Sequence, residues 1–178
     1  CQTSWAAYCA ASGACGGEYV KTVQVGTINE SFADCGNYRD RTSVSTTMLR
    51  GTGYAITVTN GATSFPDDRC GIWVDWNRDN DFDDANETIA VTGTPGVGPY
   101  SATIMPPLAA PLGSTRMRIR ISWGQASACD ASNYGDVVDY TITVDVDGNL
   151  PGMIDFDTFM GCFAGPNVLY NLGLPPGC

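Results

Sequence analysis

The chain predicts an all-β fold, an antiparallel sandwich of the jelly-roll or immunoglobulin-like kind, and three observations predict it. Short runs rich in Thr, Val, Ile and Tyr alternate polar with apolar residues between Tyr19 and Val146, the period-two signature of half-buried strands. Turn signals at Asn60-Gly61, Thr94-Pro95-Gly96, Pro106-Pro107 and Gly113 separate these runs at a spacing usual for sandwiches. No helical period occurs before residue 150.

The elements follow in order. Residues 1–17 are small and cysteine-rich, with Cys9 and Cys15 closing or flanking an Ala/Ser/Gly loop. Tyr19 to Val25 alternates as a first strand, which Ile28 extends past Gly26. Residues 43–49 and 53–59 are strand-like runs on either side of Arg50-Gly51-Thr52, a pattern that reads as a hairpin. Ile72-Trp73-Val74 runs directly into an acidic segment, and further strands are expected at 87–92, 99–105, 115–123 and 138–146. Within 115–123, Arg116, Arg118 and Arg120 alternate with Met117, Ile119 and Ile121. One face of that strand is therefore basic and the other buried, and the arginines are expected to pair with acidic neighbours. Residues 147–153 read as a linker. Beyond it the period changes: Phe156, Phe159, Met160 and Phe163 fall on one helical face, with Asp155 as N-cap and Gly165-Pro166 as the stop. The domain organisation is thus a sandwich at 1–146 and a linker with a short helical tail at 147–178. That tail cannot bury its apolar face alone, so it is expected to pack on the sandwich or on another molecule.

Bulk properties narrow the function. A chain of 178 residues with 43% apolar and 16% charged side chains can bury one core. Eight cysteines occur without histidine and without a Cys-x-x-Cys pair, which favours disulfides and an extracellular or cell-surface setting over zinc; most pairings stay open. No apolar run is long enough to span a bilayer, and the lack of an initiator Met or leader reads as a processed form. A net charge of −10 argues against nucleic acid or anionic membrane as partner. Without histidine the Ser-His and Cys-His nucleophile arrangements are unavailable. No isolated carboxylate pair stands out for glycoside chemistry, so a non-enzymatic role is expected.

The most informative stretch is 75–87. Asp75, Asn77, Asp79, Asp81 and Asp83 place oxygen donors at every second position, and Glu87 follows. Carboxylates this dense repel one another unless a hard cation lies between them, and calcium takes its oxygen ligands from such alternating loops. Measured against a helical calcium loop, the first, third, fifth, seventh and ninth positions fit, and Phe82 falls where those loops bury an apolar side chain. Asn80 stands in place of the turn glycine, and the closing acid comes one residue late, at Glu87. The expected ligands of a calcium ion are Asp75, Asn77, Asp79, Asp81, Asp83 and Glu87.

The run from Ile72 to Glu87 is similar to the signature segment of GEVED domains, and Tyr134 to Val144 resembles the segment that names them. Thr115-Arg-Met-Arg-Ile-Arg resembles their arginine-bearing strand, and Tyr8-Cys9 with Glu18-Tyr19-Val20 matches their opening. The resemblance covers roughly residues 8–146 and implies an extracellular bacterial β-sandwich without a defined catalytic activity. Asp136 and Val138 replace the two glutamates of the naming segment, leaving Asp139 as its candidate ligand or, alternatively, a hydrogen-bond acceptor that fixes the last strand. The tail at 154–166 resembles half of a dockerin-like repeat, although Pro151 and Met153 interrupt the calcium loop before it. That resemblance implies a Cys162–Cys178 disulfide.

The expected function is a calcium-stabilised structural module, self-associating or bound to another surface protein as a subunit of a fibre, sheath or surface layer. The alternative is a polysaccharide-binding or adhesion module. Trp76 and Trp123 would be its exposed platforms, whereas Trp73 is expected to be buried.

Overall fold

The β-branched runs that alternate in the sequence form eleven strands in the computed structural model, which describes residues 7–61, 64–124 and 126–146. In chain order they are β1 (Ala11–Gly13), β2 (Val20–Val25), β3 (Ile28–Ser31), β4 (Tyr38–Leu49), β5 (Tyr54–Asn60), β6 (Asp68–Val74), β7 (Thr88–Ile89), β8 (Tyr100–Ile104), β9 (Gly113–Trp123), β10 (Asp130–Ser132) and β11 (Asp136–Asp145). A five-stranded sheet has the order β4-β11-β9-β6-β7 and a four-stranded sheet the order β3-β2-β5-β8. A short parallel pair, β1-β10, stands apart. All other pairings are antiparallel except β4 against β11, which shifts register between Tyr140 and Thr141.

The two large sheets share one core. Val20, Val23, Val25, Ile56, Val58, Tyr100 and Ile104 reach it from the four-stranded sheet. Met48, Ile72, Val74, Met117, Ile119, Ile121, Val138, Tyr140 and Ile142 reach it from the five-stranded sheet. Fully burying one such aliphatic side chain contributes about 1.5–3 kcal/mol. The all-β sandwich read from the alternation is the observed fold.

Two local expectations are corrected. The runs on either side of Arg50-Gly51-Thr52 do not pair as a hairpin, because β4 belongs to the five-stranded sheet and β5 to the four-stranded one. The turn is tight, with Thr52 N donating to Leu49 O at 3.1 Å, but it carries the chain across the core. Met48 and Ile56 are both buried there and approach from opposite sheets, whereas a hairpin would have set their strands side by side. The extension at Ile28 is also a separate strand: β3 pairs back on β2 through Gly26, whose φ of 54° makes the reversal.

Among the described residues there is no helix. The chain divides after Asp145 into a unit at Cys1–Asp145 and a second at Val146–Cys178. The expected tail helix and the Cys162–Cys178 pair lie outside the described residues. Cys9 is bonded to Cys129 and Cys15 to Cys35, so the two cysteines flank the N-terminal loop and are not bonded to each other. Cys70 is reduced and buried in the core.

The arginine row is more deeply placed than its charge suggests. Met117, Ile119 and Ile121 face the core as expected, yet Arg118 and Arg120 on the opposite face are each only 2% exposed. Arg118 pairs with Asp139 through Nε–Oδ1 at 2.7 Å and Nη2–Oδ2 at 2.8 Å, and its Nη1 donates to the carbonyls of Cys9 and Ala128. Arg120 donates to the carbonyls of Ser12, Ser127, Cys129 and Asp130. A guanidinium offers five donors in a rigid fork, and here these pairs bind the N-terminal segment and residues 127–130 over the back of the sheet. Asp139 also accepts from Tyr38 Oη at 3.0 Å, which makes it the acceptor that fixes the last strand.

Candidate metal site

The acidic loop leaves the sheet at the end of β6 and returns at β7, so its two ends are held at hydrogen-bonding distance before any side chain acts. Val74 N donates to Glu87 O, and Asp75 N to Arg116 O. Two of the acids then turn inward. Asp75 is fully buried; its Oδ2 accepts from Tyr8 Oη at 2.6 Å and Asn80 N at 3.1 Å, and its Oδ1 from Arg78 N at 2.5 Å. Glu87, 1% exposed, accepts from Trp76 N at 2.8 Å and Asp84 N at 3.4 Å. Burial pushes the Glu87 carboxyl above its ordinary range, against the pull of those amides. Burial and the adjoining Asp75 carboxylate likewise push the Tyr8 phenol up, so it remains a proton donor.

Phe82 anchors the middle of the loop. It is 3% exposed, packs with Trp73 and Ala128, lies 5.3 Å from the Tyr8 ring, and has the Arg118 guanidinium 5.1 Å from its centroid. The expectation that Phe82 is the buried apolar position of the loop holds, as does burial of Trp73.

The remaining acids face outward. Asp79 N donates to Asn77 Oδ1, Asp81 N to Asp79 Oδ1 and Asp83 N to Asp81 Oδ1. This chain of side-chain-capped turns coils the loop. Asn80 takes a φ of 75° where calcium loops place glycine, the left-handed conformation that Asn tolerates. The coiling brings carboxylate oxygens of Asp79, Asp81 and Asp84 within 4.8 Å of one another. Asn77 Nδ2 donates to Asp79 Oδ2 at 2.8 Å and to Asp84 Oδ2 at 2.6 Å. The first of these bonds holds the Asp79 carboxyl below its ordinary value.

The expected ligands therefore fall into two groups. Asp79 and Asp81 converge, with Asn77 bonded to the cluster; Asp75 and Glu87 serve the backbone from inside; Asp83 is exposed and lies outside the cluster. Asp84, not Asp83, is the third acid of the cluster. Strict alternation hides it, because the turn that caps Asp83 N on Asp81 brings the next residue round to the cluster. Trp76 is 5% exposed and buried in the core, so it is no exposed platform, whereas Trp123 is 56% exposed.

The donor set fits a hard cation. Every converging group is an oxygen, none is a thiol or imidazole, and among the described residues no arginine or lysine forms an ion pair with Asp79, Asp81 or Asp84. Three carboxylates so close together carry a repulsion that a divalent ion would remove. Of the naming segment, Asp136 is also structural: buried, it accepts from Val20 N at 2.8 Å and Gly36 N at 3.1 Å, and it lies 3.5 Å from Arg39 Nε.

Residues 69–143 match the family model of the GEVED domain. The match runs from β6 into β11 and takes in the acidic loop, the arginine strand and all but the last residue of the naming segment; the tail, for which a dockerin-like repeat is expected, falls outside it. No curated protein and no solved structure shows significant similarity to the chain.

Proposed function

We propose that this chain, with its GEVED domain at residues 69–143, is a non-catalytic, extracellular structural module whose acidic loop binds calcium. The observation that carries this reading is the convergence of Asp79, Asp81 and Asp84 on a loop already organised from beneath by Asp75, Phe82 and Glu87. All-oxygen donors on a flexible rim suit calcium better than the smaller magnesium, which demands stricter octahedral geometry. Two disulfides support the extracellular placement, and no helix among the described residues is long and apolar enough to cross a membrane.

The module self-associates or joins another surface protein. Its support is β4, twelve residues long and at the edge of the five-stranded sheet, with no strand paired on its outer side among the described residues. A long unpaired edge is a template for strand addition. Light scattering on the native chain in calcium and then in excess chelator tests both parts. Large species that dissociate on chelation are expected. A monomer in both conditions overturns self-association, and calorimetry without calcium heat overturns the ion.

A further inference from the structure

At the end of β9 away from the acidic loop, four segments of chain border an open pocket of about 250 Å3 lined by Gly16, Glu18, Phe65, Trp123 and Tyr134. Each wall is fixed by its own bonds. The 15–17 segment is stapled by Cys15–Cys35 and bonded in both directions to Gly135. Phe65 N donates to Asp68 Oδ2 at 2.7 Å, and Asp68 N returns to Phe65 O. Trp123 ends β9 opposite Asp68 of β6. The Tyr134 carbonyl accepts from Ser132 Oγ at 2.6 Å.

Three aromatic residues line this cavity while remaining exposed: Phe65 at 42%, Trp123 at 56% and Tyr134 at 45%. Trp123 and Tyr134 meet at 73° with ring centroids 6.1 Å apart, two walls of a box rather than one flat platform. The fourth wall carries a charge. Glu18 is 1% exposed, and its Oε2 is buried without a hydrogen-bond partner. That atom lies 3.6 Å from where a Cβ on Gly16 would stand, and the same Cβ would meet Tyr134 Cδ1 at 2.5 Å. Gly16, at φ 121°, therefore lets the Tyr134 ring pack directly against its backbone beside Glu18. Among the described residues Glu18 has no cationic partner within 4 Å. Burial and the Asp68 charge both push its carboxyl upward.

A buried carboxylate oxygen without a donor is costly unless a ligand supplies one. Aromatic faces at right angles attract a cation through their quadrupoles. A neutral sugar could stack on the exposed Trp123 ring but would bring no charge to the unpartnered Glu18 carboxylate, which an ammonium does. We propose that this cavity binds a primary alkylammonium group, with its N–H donated to Glu18 Oε2 and its carbon chain and charge held against Phe65, Trp123 and Tyr134. The amine belongs either to a small free amine or to a lysine side chain of another protein. The site is separate from the metal loop and does not depend on that assignment.

The test is a titration of the full chain at neutral pH, in chelator and again in calcium, followed by calorimetry and the indole N–H resonances. The probes are n-butylammonium, the neutral isostere n-butanol, Nα-acetyl-lysine amide, and a soluble cello-oligosaccharide. Saturable binding of butylammonium is expected, with n-butanol at least about tenfold weaker. Glu18→Gln and Trp123→Ala should each weaken the amine by about tenfold or more. Trp123 is exposed, so its replacement leaves a folded protein on which to read the loss. Tighter binding of the capped lysine than of butylammonium assigns the site to a protein partner, and equal binding to a free amine. Equal binding of n-butanol, unchanged affinity in both variants, preference for the oligosaccharide, or no saturable binding by a folded chain overturns the proposal.

Discussion

The inner and outer halves of the acidic loop have the same composition and opposite physical situations. Asp75 and Glu87 are buried and their oxygens are satisfied by backbone amides and a phenol. Asp79, Asp81 and Asp84 are exposed, crowd within 4.8 Å, and are bonded chiefly to the loop's own backbone and Asn77. Carboxylates in the first group act as internal caps that shape the loop whether or not an ion is bound. Those in the second gain most from a cation, because among the described residues no arginine or lysine pairs with them. Like residues in one segment thus divide into scaffold and a cluster that could hold an ion, according to which way the coil turns them.

That division predicts a graded series of effects. Asp75→Ala should be the most damaging, by about 3–5 kcal/mol, since it strands the part-buried Tyr8 hydroxyl and the part-buried amides of Arg78 and Asn80. Urea unfolding with and without calcium measures it, and a loss seen only in calcium would break the division. Phe82→Ala should cost about 3 kcal/mol through the cavity left beside Trp73 and Tyr8, and should also weaken calcium binding by releasing the loop; unchanged affinity would uncouple the anchor from the rim. Removing calcium should lower the melting temperature, by the equivalent of about 2.7 kcal/mol if the free ion stood at roughly 100 times Kd. The double replacement Asp79→Ala with Asp81→Ala should abolish that response to chelator while leaving metal-free stability close to that of the parent, because relieved repulsion offsets the lost caps on the exposed amides of Asp81 and Asp83. A double variant that melts far below the chelated parent would move these two acids into the scaffold.

The smallest effect concerns a buried acid outside the loop. Burial raises the Asp136 carboxyl despite the amides of Val20 and Gly36. Its native pKa lies above the unfolded value of about 4, so between the two the folded state holds a proton that the unfolded state has released. Its contribution to stability is therefore full below the unfolded value and is lost as pH rises through the native one. In chelator, Asp136→Asn should remove that downward slope; a parent whose stability climbs steadily through the same window would contradict it.

Much of this was legible in the sequence, because alternation is a direct consequence of one buried sheet face. Met117, Ile119 and Ile121 announce their side of β9, and Phe82 its place in the loop. What could not be read is what lies behind a sheet. Arg118 and Arg120 look like a solvent-facing row, yet segments at 9–12 and 127–130 cover them, and the carbonyls they satisfy belong to residues with no pattern of their own. β1 and β10 escape for the same reason: three small or polar residues each carry no period. The turn at Arg50-Gly51-Thr52 was visible, but whether a turn joins neighbours or crosses a core depends on which sheet each strand enters. Asp84's place in the acidic cluster was hidden by the assumption that converging acids keep strict alternation, which a coiled loop does not.

Cys70 has a further consequence. Its thiol is sealed in the core, and burial pushes its pKa upward, away from the reactive thiolate. With Cys9–Cys129 and Cys15–Cys35 closed, five of the eight cysteines are accounted for. Three remain, at positions 1, 162 and 178, and an odd number cannot be paired off among themselves. Within these 178 residues, parity therefore leaves at least one of those three sulfurs outside every internal bridge, while the sandwich keeps both of its staples.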